Sequence, residues 1–213
     1  IDISNFNSIN KYCSKHKFNV IINLAAEAGV RNSYDNPANF FESNLAGFFN
    51  ILHCSKLLKV DHFIYASSSS VYGDNKIFPQ KESLNTDHPE SFYAATKKSN
   101  EILAHAYSNN YNFKCTGLRF FTVYGPYGRE DMSLYKFTDS ILNNRKLELY
   151  NFGKHYRDFT YIDDVIEAIK KVLFDKKKRK FRHKIYNIGY GKSKSLKIYL
   201  NYISQILNKN LKV

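Results

Sequence analysis

An α/β fold built on a doubly wound parallel sheet, with a smaller C-terminal α/β part, is predicted by three observations. Short apolar runs without helical period recur at residues 18–24, 62–66 and 114–120. They alternate with amphipathic segments of helix length, the pattern of a parallel sheet joined by crossover helices. A polar segment leaves the carboxyl end of each run, at residues 25–33, 67–72 and 121–129, and ligands of open parallel sheets bind at that end.

The run FNVIINL closes on the small residues Ala25 and Ala26, as a buried parallel strand entering a loop does. Asn36-Pro37 predicts a helix start, with Asn as N-cap and Pro at the first helical position. Phe41, Leu45, Phe48 and Leu52 follow at helical spacing, and the helix runs to about residue 58. HFIYA, residues 62–66, gives the next strand; a long polar loop reaches Pro89; residues 92–111 form a second helix and 114–120 a third strand. Such alternation builds right-handed βαβ units. Further on, the pattern predicts a helix over 132–143, strands over 146–151 and 158–162, a helix over 163–174, a strand over 184–188 and a helix over 195–207. There is no internal repeat and no long linker.

With 213 residues, 43% apolar and 16% aromatic, the chain can bury a sizeable core in one or two domains. No apolar run approaches the roughly 20 residues of a membrane span, and no leader segment opens the chain, so a cytoplasmic chain without a membrane partner is expected. Cys13, Cys54 and Cys115 are far apart and form no C-x-x-C pair, which argues against a zinc or redox site; no metal is expected. The net charge of +13 raises the question of nucleic acid. Nine Lys/Arg against one Asp crowd into residues 170–184, and a run such as Lys176 to Lys180 reads as a solvated loop. No nucleic-acid motif accompanies it.

The chemistry concentrates on Ser68, at a strand end, and on Tyr93 and Lys97, at the start of a helix. Residues i and i+4 share a helical face, so Tyr93 and Lys97 can point into one pocket. A free tyrosine holds its proton to a pKa near ~10. A neighbouring ammonium stabilises the phenolate, which is what a proton-abstracting tyrosine needs. A lone Y-x-x-x-K is weak evidence, but here it follows a Ser-rich strand end by some 25 residues and precedes another strand and polar loop.

NLAAEAGVR, YASSSSVYG, YAATKKSNE, GLRFFTVYGPYGR and RDFTYIDD, in this order and covering practically the whole chain, resemble the extended short-chain dehydrogenase/reductases. The NAD-dependent epimerase/dehydratases among them, and the UDP-glucuronate 4-epimerases in particular, are the nearest likeness. The resemblance implies a Rossmann-like sheet, NAD as cofactor, a UDP-sugar substrate and a homodimer formed through the helices beginning near Pro37 and Phe92. It implies that Tyr93 takes the proton of the sugar 4-hydroxyl, that Lys97 holds the cofactor ribose and depresses the Tyr93 pKa, and that Ser68 hydrogen-bonds the 4-oxygen. Asp2, Ile3, Leu24, Ala25, Ala26, Asn44, Ser67 and Phe120 would join Tyr93 and Lys97 around the cofactor. For several of these a plain reading stands beside it: Asp2 as an ordinary helix-entry residue, Leu24 to Ala26 as strand-helix packing, Asn44 as solvent-facing.

Ser69 and Ser70 decide the reaction type. Related dehydratases carry an Asp-Glu pair there and related decarboxylases a Glu at the second place, so without an acid, epimerisation is expected. Thr122 stands where UDP-galactose 4-epimerases usually have Asn, and Arg129 lies seven residues on. A guanidinium fork matches a carboxylate, so Thr122 and Arg129 with Ser69 and Ser70 would grip a uronic acid. By resemblance, Arg157 grips the diphosphate and Tyr150 and Asn151 lie near the uracil. Conversion of UDP-glucuronate to UDP-galacturonate is the expected activity. The alternatives are another 4-epimerase, acting on UDP-glucose or UDP-N-acetylglucosamine, or an inactive NAD- or sugar-nucleotide-binding module.

The family's N-terminal Gly-rich βαβ unit, which receives the pyrophosphate, is missing from this sequence, so weak NAD binding by this segment alone is expected. The expected organisation is a partial NAD-binding domain over 1–125, with contributions from about 158–190, and a partial sugar-nucleotide-binding domain over 126–213.

Overall fold

The computed structural model describes residues 1–147, 149–175 and 182–209. The chain forms two compact units, one of Ile1–Phe120 with Lys170–Ile188, the other of Phe121–Ile169 with Gly189–Val213. The basic run at 176–180 lies outside the described residues.

In the first unit, β1 (Val20–Asn23), β2 (His62–Ser68), β3 (Lys114–Phe120) and β7 (His183–Ile188) form a parallel sheet in the order β1-β2-β3-β7. The register sets Ser68 opposite Phe120, and Phe120 opposite Ile188, so these strand ends are level. Strand β2 is buried along nearly its whole length, which is why its sequence is an apolar run rather than an alternation. Phe48, Leu52, Phe63, Tyr65, Phe113 and Cys115 make the core beside it, with Phe48 edge-on to Tyr65 at 5.2 Å between ring centroids. Gly117 on β3 makes room for this packing, because a Cβ there would meet the Tyr65 hydroxyl at 2.6 Å.

The predicted helix from residue 37 is present with two changes. It runs as α3 (Pro37–Phe40), a π-helical stretch (Phe41–Gly47) and α4 (Phe48–Leu57). Asn36 does not cap it; its amide donates back to Asn32 Oδ1 at 3.0 Å, at the end of the short α2 (Asn32–Asp35). Helix α5 (Phe92–Tyr111) is as predicted, capped by Ser91, which accepts from Ala94 N, and ended by Asn112 in the left-handed region. It packs along β2, β3 and β7. Helix α1 (Phe6–Cys13) escaped the sequence reading: FNSINKYC is rich in weak helix formers. It stands because Asn5 caps it and Ile9 and Cys13 bury against Cys54.

His183 on β7 meets the Tyr65 hydroxyl at 2.9 Å and the His105 ring at 5.4 Å. Burial, reinforced by His105, pushes its pKa down to about 4. The unfolded chain therefore binds a proton that the native state refuses between about pH 4 and pH 6.5, and stability falls as pH drops through that window. His183→Gln, which keeps a partner for Tyr65, is expected to lessen this loss; urea midpoints from pH 7 to pH 4 check it.

The second unit contains β4 (Thr122–Tyr124) parallel to β6 (Phe159–Tyr161), β5 (Tyr156–Arg157) antiparallel to β8 (Lys194–Ser195), and helices α6 (Ser133–Leu142) and α8 (Leu196–Leu207). Helix α7 (Ile162–Leu173) follows β6 directly. Phe137, Ile141, Leu147 and Leu200 form its core. The strand expected over 146–151 is corrected: among its described residues none is extended and paired, and Tyr150–Gly153 is a 3-10 turn. Leu147 and Leu149 pack into the helical core instead, so their alternation served burial without a partner strand. No helix among the described residues is long and apolar enough to cross a membrane.

Candidate active site

Strand β2 delivers Ser67 and Ser68 to the carboxyl edge of the sheet and turns into a 3-10 segment, Ser69–Tyr72. The Ser68 hydroxyl caps that turn by accepting from Ser70 N at 3.1 Å. Gly73 closes it at φ +55°, where a Cβ would run into the His88 carbonyl. Ser67 and Ser68 are buried, Ser69 and Ser70 half-buried.

Tyr93 stands in the first turn of α5 with Lys97 one turn later. Lys97 is 4% exposed, and its Nζ donates to the Ala66 carbonyl at 3.1 Å. The ammonium lies 5.8 Å from the centre of the Tyr93 ring, within cation–π range. The Phe40 ring meets Tyr93 edge-on at 6.1 Å. Burial lowers the Lys97 pKa from 10.5 to about 8. Between those values the unfolded chain holds a proton that the native state lacks, so this group makes stability rise with pH from about 8 to 10.5. Lys97→Met is expected to flatten that rise; denaturation midpoints at pH 7.5 and 9.5 measure it.

Asn44 sits in the π-helical stretch, 1% exposed. Its amide accepts from Glu27 N at 2.8 Å and donates to Glu27 O at 3.0 Å and Thr96 Oγ1 at 3.2 Å. The solvent-facing alternative is thereby excluded: Asn44 holds the loop after β1 against α5. In that loop Leu24 is 51% exposed, Ala25 is exposed and Ala26 half-buried. Phe120 ends β3, half-buried. Asp2 accepts from Ser4 N and Oγ, both at 2.9 Å, a local turn before α1. The Ile3 side chain packs on the α1 cluster and fills the space above Gly47.

Sequence reasoning missed Glu101, one turn beyond Lys97 on α5. It is 3% exposed, and its carboxylate accepts from Ser67 Oγ at 2.6 Å and from Arg119 Nε and Nη2 at 2.8 and 2.7 Å. Arg119, on β3, is 2% exposed and lies over the Tyr72 ring at 4.8 Å. A charged residue inside an apolar strand, in GLRFF, was the available signal, since such a residue is tolerated only when paired.

The remaining expected residues belong to the second unit. Thr122 opens β4, half-buried, with its N–H on the Asp158 carbonyl at 3.0 Å. Arg129 is exposed and grips Asp131 with both arms of its fork, Nε–Oδ1 2.8 Å and Nη2–Oδ2 2.6 Å. That hydrogen-bonded guanidinium holds the Asp131 carboxyl below its ordinary pKa. Arg157 is exposed on β5, its Nη1 on the Tyr156 carbonyl at 2.8 Å. The side chains of Tyr150 and Asn151 lie outside the described residues.

Residues 1–189 match the model of the NAD dependent epimerase/dehydratase family. The chain belongs to that family. A probable UDP-glucuronate 4-epimerase of Rhizobium meliloti is 49% identical over 153 residues, 72% of this chain and 45% of that protein. Among solved structures, UDP-glucuronic acid 4-epimerase from Bacillus cereus, in complex with UDP-glucuronic acid and NAD, superposes with a TM-score of 0.89 at 32% identity, covering 100% of this chain and 66% of that one. UDP-N-acetylglucosamine 4-epimerase from Methanobrevibacter ruminantium gives 0.89 at 28% identity, covering 100% and 67%. The chain spans about half the length of the curated relatives it matches. Its parallel sheet is the α/β architecture of this epimerase family.

Proposed function

We propose that the whole protein is an NAD-dependent nucleotide-sugar 4-epimerase that interconverts UDP-glucuronate and UDP-galacturonate. The carrying observation is the buried Lys97 ammonium beside Tyr93, in the same unit as a β2 end that bears Ser68 and no carboxylic acid at 69 or 70. An ammonium has three donors, and one of them is on the Ala66 carbonyl. The others suit a ribose diol, while exposed Leu24 and the small Ala25 and Ala26 leave the adjoining strand end open to a flat ring system. These residues fit NAD, which when bound supplies the hydride acceptor for the sugar 4-carbon. Tyr93 Oη takes the proton of the 4-hydroxyl, Lys97 favours the phenolate that does so, and Ser68 Oγ hydrogen-bonds the 4-oxygen.

The uronic acid is supported by the Arg129 fork, whose geometry suits the carboxylate it now holds on Asp131. An exposed ion pair of this kind is worth about 0–1 kcal/mol, so exchanging Asp131 for a substrate carboxylate is cheap. Arg157 would meet the diphosphate. A 4-keto uronic acid loses carbon dioxide when the breaking bond aligns with the carbonyl, and Arg129 would hold the carboxylate out of that alignment. Arg129→Ala is therefore expected to release more carbon dioxide per turnover than the parent, measured with carboxyl-labelled UDP-glucuronate.

A homodimer through α4 and α5 fits the apolar surface that Phe49, Leu57 and Ile102 leave exposed there; light scattering of the whole protein tests it. The equal superposition on a UDP-N-acetylglucosamine enzyme favours a second reading in which the sugar differs. Chromatography of the whole protein with UDP-glucuronate, UDP-glucose and UDP-N-acetylglucosamine separates the two. Conversion of UDP-glucuronate alone supports the uronate reading, and conversion of only the neutral sugars defeats it.

A further inference from the structure

The grip of α5 on β2 has a regular form. Lys97 holds the carbonyl of Ala66, and Glu101, one helical turn later, holds the hydroxyl of Ser67. Ser68 is the next residue. Ser67 and Arg119 are register partners on adjacent parallel strands, so their side chains share the sheet face on which Glu101 receives both. All three are at most 3% exposed. Two consecutive strand residues are thus tied to two consecutive turns of one helix, immediately before the serine that the reaction uses, and the second tie is anchored through Arg119 to a third element.

We propose that Ser67, Glu101 and Arg119 form a positioning network that fixes the end of β2 against α5, and so sets where Ser68 Oγ and the Lys97 ammonium stand relative to Tyr93. This rests on the epimerase reading for its kinetic consequence, though not for its structural one. None of the three needs to touch substrate. Ser67 acts through its hydroxyl on Glu101, and Glu101 acts through the spacing of one helical turn to Lys97. A buried acid in bidentate contact with a buried guanidinium has one well-defined geometry, whereas a Ser67 hydroxyl alone could rotate among several partners. The network therefore supplies rigidity where a displacement of about 1 Å costs up to about 100-fold in rate.

The test uses the whole protein with Ser67→Ala, which removes one hydroxyl and leaves the Glu101–Arg119 pair intact, and Ser67→Thr, which restores the hydroxyl. Ser67→Ala is expected to lower kcat by about tenfold with KM for the UDP-sugar nearly unchanged and the thermal midpoint lowered only by the loss of one buried hydrogen bond, the protein staying folded at the assay temperature, and Ser67→Thr to recover most of the kcat. A second readout needs no turnover: the titration of Tyr93, followed by tyrosine ring-carbon NMR and assigned by its absence in Tyr93→Phe. The Lys97 ammonium and the Phe40 ring both lie against that phenol ring, and a loosened Lys97 should raise its midpoint in Ser67→Ala. Unchanged kcat together with an unchanged Tyr93 midpoint overturns the proposal, as does a kcat loss that only follows a fall in thermal midpoint. If the parent turns over no UDP-sugar the epimerase reading fails, and the Tyr93 midpoint alone then decides the positioning role.

Discussion

Tyr93→Phe in the whole protein is expected to cut turnover of the UDP-sugar by about 10²–10⁴-fold, the range a positioned general base contributes. KM should change little, because the ring remains and only the hydroxyl proposed to take the proton is gone. Phe keeps the edge contact with Phe40 and the place of Tyr93 in the first turn of α5, so the thermal midpoint should hold. Retained activity would remove Tyr93 from the chemistry. Lys97→Met should produce a loss of similar order, with weakened cofactor retention added to it, since the proposed role of Lys97 is both to favour the phenolate and to hold the cofactor ribose.

Glu101→Ala carries the largest expected effect on stability. Arg119 would be left charged and 2% exposed with its acid removed, and breaking a buried pair from one side costs about 3–5 kcal/mol. Replacing both members, as in Glu101→Leu with Arg119→Met, should be far less destabilising than the single change, because no uncompensated charge remains. The exposed Arg145–Asp139 pair, with N–O 2.9 Å and side chains 66% and 35% exposed, is the contrast: Arg145→Gln should cost less than about 1 kcal/mol. Urea unfolding of the three variants checks the order. A Glu101→Ala loss no larger than that of Arg145→Gln would show that the pair is not held as described.

Strands β2 and β3 were legible because their burial is nearly complete and writes itself into composition. HFIYA reads as an apolar run because β2 is buried along nearly its whole length, and the helical reading of residues 92–111 meets α5, which Ser91 caps and Asn112 ends. Residues 146–151 misled for the same reason: an alternation records which side chains pack inward, and Leu147 is buried and Leu149 half-buried against helices. Helix α1 was illegible because tertiary contact with Cys54 stabilises it more than its own residues do.

The candidate site divides along the same line. Tyr93 and Lys97 could be paired from sequence because four residues of helix fix their relation locally. The Ala66 carbonyl that accepts from Lys97 is 31 residues away, and Glu101 meets Arg119 only through the register of α5 across β2 and β3; neither relation has a local signature. Asn44 shows the limit from the other side. A polar residue on an apolar helix was visible, but whether it faced solvent or a buried backbone depended on how the loop after β1 returns, which composition does not record.

The most direct test of the account is to give the whole protein UDP-glucuronate carrying deuterium at the sugar 4-carbon and to read the product by proton NMR. Transient oxidation at that carbon predicts UDP-galacturonate that keeps its deuterium at position 4. Product with the label washed out to solvent, or inverted at another carbon, would contradict it.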